Sequence, residues 1–192
     1  MTTNYKPIGP YILLNGKYAG KALEQLMFLD YGYIIWKYKF LKYRILRAEE
    51  LHEYKHLRWL IIQGQSRQSQ EICPYCMENL VSCFFVISGS YGKLKVSSNY
   101  TVCADEICHE KCIQKIQHQN ERLFDFVKLP FRFSSLRSNT FGIRNFKEHQ
   151  RMITKLFQIA FRIPVLRKDK LFQFFSENYD EIGKQIYLFP RV

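Results

Sequence analysis

Hydrophobic and polar positions change their period along this chain, and the changes outline its elements. From Ala48 to Gln63 apolar residues recur at helical spacing, and Gly64 stands where a left-handed residue can end the helix. Upstream, Tyr11-Ile12-Leu13-Leu14 reads as a short strand, Asn15-Gly16 as a turn and Ala22 to Phe28 as a short helix. Asp30 is placed to cap another helix, from Tyr31 through Trp36 toward Leu46. In the middle, two β-branched, apolar runs, Leu80 to Ile87 and Lys93 to Val102, flank the turn Ser88-Gly89-Ser90-Tyr91-Gly92. Asp105 then caps a helix carrying Ile107, Cys112, Ile113 and Ile116.

Toward the end of the chain, Asn145 and Glu148 have capping-box spacing. The helix from Phe146 to about Arg162 places Ile153, Leu156, Phe157 and Ala160 on one face, and Pro164 closes it. A last helix starts after Asp169 and ends at Gly183. Its Leu171, Phe172, Phe174 and Phe175 read as core. The pattern predicts an α+β protein with three parts. These are a small mixed N-terminal domain over 1–64, a finger-like domain over 65–120 and a basic, Phe-rich, mostly helical segment over 121–192. A polar connector, residues 64–70, separates the first two.

Cysteine placement changes the picture of the middle part. All six cysteines lie between Cys73 and Cys112. They begin with Cys73-Pro74-Tyr75-Cys76 and end with Cys103, Cys108, His109 and Cys112. Close ligand pairs separated by a hairpin and followed by a helix are what a tetrahedral ion needs, and the order knuckle, hairpin, helix resembles a treble-clef zinc finger. The predicted ligands of one structural Zn²⁺ are Cys73, Cys76, Cys108 and Cys112, with Cys103 and His109 as alternates. Cys108 and Cys112, four apart, would share one helix face. Cys83, inside Val81-Ser82-Cys83-Phe84-Phe85, reads as a packing residue. The chemistry expected is structural, because a catalytic zinc needs an open position and a nearby base. The His-x-Glu followed by Pro-Cys-x-x-Cys of deaminases does not match, since His109-Glu110 follows the Cys-Pro-Tyr-Cys pair. His52, His56, His118 and His149 fall in polar, helix-like stretches and read as surface residues, so no enzyme is expected.

The first part carries a second pattern. Gly16-Lys17-Tyr18-Ala19-Gly20-Lys21 follows the strand, and Asp30, Tyr33 and Trp36 follow the short helix. Over residues 14–43 the chain resembles the small C-terminal domain of exodeoxyribonuclease-X-like proteins and of short proteins labelled quorum-sensing-regulated virulence factors. It departs from them at Asn15, where they carry Phe. The resemblance implies a strand, a G-K-Y-x-G-K turn, a helix and a D-x-x-Y-x-x-W segment, and it implies no nuclease acids, because that domain is an appendage. Physically, the two glycines let the loop fold tightly and bring Lys17 and Lys21 together, with Tyr33 and Trp36 packed under it. The spacing is not that of a P-loop, so no nucleotide hydrolysis is expected.

Charge supplies the expected partner. The chain carries 29 basic and 17 acidic side chains, net +12. The excess is +5 over 1–64, zero over 65–120 and +7 over 121–192, so the positive field comes from the finger's flanks. Such a charge favours polyanions. Lys17 and Lys21 in the loop, and Arg132, Arg137, Arg144, Arg151 and Lys155 among the C-terminal aromatics, are the predicted contacts to DNA or RNA, without sequence specificity. The other class of partner is a protein, with the chain as a structural subunit of a larger assembly. No apolar run approaches the roughly 20 residues that cross a bilayer. No export signal is evident at the N-terminus, which points to reduced cysteines and an intracellular setting, in cytoplasm, nucleus or virion, as an accessory or viral factor.

Overall fold

A computed structural model describes residues 5–88, 94–119, 125–137 and 146–177. The chain forms two compact units, Met1–Arg67 with Val165–Val192, and Gln68–Pro164. The C-terminal third is therefore divided between the units and does not stand as a third part.

The first unit is helical. α1 (Leu23–Leu29), α2 (Tyr31–Lys42), α3 (Ala48–Ser66) and α6 (Lys168–Ser176) pack around Leu23, Leu26, Met27, Phe28, Ile34 and Leu57, all sealed from solvent. α6 closes this core through Phe174 and Phe175, whose rings lie 6.5 and 6.2 Å from that of Phe28. Phe174 and Phe175 are core residues, as their spacing predicted, whereas Phe172 is half-buried against Trp59. α3 does not stop at Gly64; that glycine is buried inside the helix, which continues to Ser66. The strand expected at Tyr11–Leu14 contracts to one bridge, Ile12 to Ala22. With no third partner for its edges, a longer ladder would have little to pair with. His56 is buried, contrary to its polar sequence context. Its ring meets Glu24 Oε1 through Nε2 at 2.7 Å and the Tyr5 hydroxyl through Nδ1 at 3.1 Å. Burial, then the Glu24 charge, pushes the Tyr5 phenol up to about 12. These contacts tie the start of the chain to α3.

The second unit is a three-stranded antiparallel sheet with a helix against each face. β1 (Cys83–Ser88) is central, between β2 (Leu94–Val102) and β3 (Phe126–Pro130). Alternation along β1 sends Phe84 and Val86 one way, Phe85 and Ile87 the other. All four are buried, so both faces of the strand are covered. Phe84 meets Phe131 and Phe157 at 5.1 and 6.0 Å, the second of them from α5 (Phe146–Ala160). Phe85 and Ile87 pack with Cys112 and Ile116 of α4 (Glu106–Gln119). Ile153, Leu156, Phe157 and Ala160 form the buried face of α5. That helix ends where Arg162 adopts φ +55° and Ile163 N–H returns to Gln158 C=O at 2.8 Å, just before Pro164. Arg144, Asn145 and Gly183 lie outside the described residues.

Phe84→Ala should open a cavity between sheet and α5 and cost about 3–5 kcal/mol. Chemical denaturation of metal-loaded protein checks this, and a loss below about 1 kcal/mol would show that the ring is not the keystone its contacts indicate.

Candidate metal centre

The centre is assembled by three local structures of the second unit. The first is the turn at Cys73–Cys76. Ile72 bridges Leu80, Cys73 N–H donates to Asn79 C=O at 2.7 Å, and Met77 N–H donates to Cys73 C=O at 2.9 Å. Closing so tight a turn forces Met77 to φ +59°, a left-handed conformation that favours glycine. In return the backbone N–H groups of Asn79 and Glu78 point at the Cys76 sulfur. They lower its thiol to about 7, which favours the thiolate form that a metal ion takes. The second structure is the end of β2, where Cys103 follows Val102 directly. The third is the opening turn of α4, where Asp105 Oδ1 accepts from Ile107 N–H at 2.8 Å and Cys108 lies in the first turn.

These elements bring together Cys73, Cys76, Cys103 and Cys108, each sulfur within 4.8 Å of the others. None of them is in a disulfide. The Cys76 and Cys103 sulfurs are 3.9 Å apart, far beyond a covalent S–S bond. Four thiolates at roughly 2.3 Å from a central ion would stand roughly 3.8 Å apart, so the sulfur array fits a tetrahedral metal ion. Without an ion the same array is unfavourable. Burial raises the thiols of Cys103 and Cys108, because a thiolate there has lost water and faces neighbouring sulfurs. A bound cation reverses that preference by taking up the negative charge.

The structure corrects the fourth ligand. Cys112 is not in the array; it is buried with Phe85, Ile87, Val102 and Ile116, facing the sheet. Helical spacing alone would let Cys108 and Cys112 share an ion, but the Cys112 side chain is taken up by the hydrophobic layer, away from the other four sulfurs. Cys103 takes the place, as one of the two alternates. His109, the other alternate, is turned to a supporting task. Its Nε2–H donates to the Cys103 carbonyl at 2.8 Å, and its Nδ1 stands 3.4 Å from Lys128 Nζ. That bond holds the Cys103 backbone in position, as outer partners of metal ligands do. Tyr75 joins centre to core: it packs against both the ligand cysteines and the Cys112 cluster, and its hydroxyl donates to Asn99 C=O at 3.0 Å. Neither role was readable in the sequence, where Tyr75 is only a spacer between two cysteines.

The basic residues are spread over both units. In the first, Gly16 and Gly20 take φ +86° and +79°, and the loop returns Gly20 N–H to Leu13 C=O at 2.8 Å. Lys17 and Lys21 are exposed on it. Asp30 organises this region. Its Oδ1 caps α2 by accepting from Tyr33 N–H at 3.0 Å, while Tyr18 donates to Oδ2 and Lys17 Nζ stands 3.8 Å away. Tyr33 packs under the loop against Tyr18, but Trp36 does not; it is 56% exposed. In the second unit Arg132 is exposed, and Arg151 and Lys155 lie one turn apart on the solvent side of α5. Arg137 ends the 3₁₀ turn Phe133–Arg137. Among the described residues, no helix is long and apolar enough to cross a membrane.

The ligand set predicts different outcomes for two nearby cysteines. Cys103→Ser should weaken the sulfur-to-cobalt charge-transfer absorption of Co²⁺-substituted protein and loosen metal binding, whereas Cys112→Ser should leave both spectrum and stoichiometry unchanged. A spectrum lost in the Cys112 variant and retained in the Cys103 variant would contradict the assignment. Comparison of the chain with protein-family models, with curated proteins and with solved structures finds no match.

Proposed function

We propose that this is a non-enzymatic, zinc-stabilised protein that binds nucleic acid through basic surfaces, as an accessory factor. The observation that carries the first half is the array of four cysteine sulfurs. An all-thiolate tetrahedral site favours zinc among common intracellular ions, and four protein ligands leave no open position for a substrate or activated water. The order of turn, hairpin and helix, with ligands at the turn, at the end of β2 and at the start of α4, supports a treble-clef arrangement. The ion then acts as a staple: it fixes the opening of α4, whose far side packs on the sheet.

The second half rests on charge. A net +12 with exposed Lys17, Lys21, Arg132, Arg151 and Lys155 suits the phosphate backbone, and nothing in that set reads base identity. The nuclease-associated setting implied by the resemblance of residues 14–43 is compatible with this role. A protein partner meeting the same surfaces would give a binding energy much less dependent on salt.

Binding of the full chain to a single-stranded oligonucleotide should therefore weaken steeply with salt. Four phosphate contacts predict a loss of roughly 50-fold between about 50 and 200 mM. Lys21→Glu and Arg151→Glu should each flatten that slope. Fluorescence anisotropy measures both effects, and absence of binding at the lower salt concentration would rule the reading out.

A further inference from the structure

α2 is apolar on two sides, and only one of them is needed for the core. Tyr31, Ile34 and Leu41 are buried. Tyr33, Trp36 and Phe40 repeat at three- and four-residue steps, so they make a second stripe along the helix. Trp36 is 56% and Phe40 43% exposed, and Tyr43, just past the helix, is 79% exposed. Their rings form a continuous row with Tyr18 of the glycine loop. Centroids are 4.9 Å apart from Tyr18 to Tyr33, 5.6 Å to Trp36 and 5.5 Å on to Phe40, the last pair stacked at 19°.

The row is bordered by cations. Lys17 Nζ lies 4.6 Å above the Tyr18 ring, the Arg44 guanidinium 4.7 Å above Phe40 and Lys42 Nζ 5.4 Å from Tyr43. Residues 31–47 contain five basic side chains and no acidic one. Asp30, Glu53 and Glu50 offset Lys17, Lys37 and Arg44. Lys39 and Lys42 are exposed and enter no ion pair among the described residues.

We infer that this row is a stacking track for single-stranded nucleic acid, with unpaired bases lying on Trp36 and Phe40 and phosphates met by Lys39, Lys42 and Arg44. The inference rests on the nucleic-acid reading above and gives it a surface and a strand type. A duplex presents base edges and keeps its base faces stacked internally, so exposed rings gain little from it. An unpaired strand offers a π-face and a negative charge at each step, which is what a row of rings edged by ammonium groups can use. Aromatic and Arg side chains also anchor protein interfaces. Here, though, the partner has to satisfy two unpaired lysines beside the rings, and a strand brings phosphates at regular intervals.

The chain's two tryptophans make the test direct. Trp59 is 5% exposed, so a change in tryptophan emission on adding oligothymidylate reports Trp36. With full-length, metal-loaded protein, the single strand should quench emission and bind more tightly than a duplex of equal length. Trp36→Ala and Phe40→Ala should each weaken single-strand binding roughly 5- to 100-fold by anisotropy, with circular dichroism unchanged. Trp36→Phe should restore most of it, and duplex binding should barely respond. If both alanine variants hold the single strand as wild type does, the track is overturned while the nucleic-acid reading stands. If wild-type protein binds neither strand form at low salt, that reading itself fails, and the row is left as a protein-facing surface.

Discussion

Four cysteine sulfurs held within 4.8 Å of one another, three of them on buried residues, form an arrangement that a polypeptide does not favour without a cation. Thiolates repel, and thiols so placed gain only weak hydrogen bonds. The array exists because three structures that are poor company alone converge on it: a turn strained at Met77, the last position of β2 and the first turn of α4. The second unit depends on that convergence. α4 lies against the sheet through Cys112 and Ile116, but what sets its start is Cys108, and what fixes the strand before it is Cys103. With no charge in the array to balance, the Met77 conformation and the buried sulfurs would both count against the fold.

The first unit solves its organisation with a carboxylate. Asp30 caps α2, takes the Tyr18 hydroxyl and attracts Lys17, so one side chain links the glycine loop to the helix that follows it. This explains why the loop and the Asp-x-x-Tyr-x-x-Trp segment occur together: the first two members of that segment bind the loop. The third, Trp36, is released to solvent, where it costs hydrophobic free energy in exchange for nothing that the fold uses. Such a residue is better explained by a partner than by the unit it belongs to.

Much of this was legible in the sequence. Helical periods located α1 to α5 to within a few residues, and the buried face of α5 and the burial of Phe174 and Phe175 followed from spacing alone, whereas α6 stops at Ser176, well short of the expected Gly183. The cysteine spacing pointed to a cluster that could hold a metal ion, and Cys73, Cys76 and Cys108 lie in the sulfur array. The fourth ligand was not legible, because spacing along a helix says which residues share a face but not how far down that face the ion lies. Cys112 satisfies the periodicity and still belongs to the hydrophobic layer. His56 was hidden for a related reason: its neighbours in sequence are polar, while its partner Glu24 is 32 residues away. Gly64 shows the converse, a helix breaker by type that burial keeps inside α3.

The most direct test of the central claim is the metal's own coordination shell. X-ray absorption on zinc-loaded, full-length protein should give four sulfur scatterers at roughly 2.3 Å and no imidazole contribution. A shell with three sulfurs and one nitrogen near 2.0 Å would place His109 on the ion and contradict the all-thiolate centre described here.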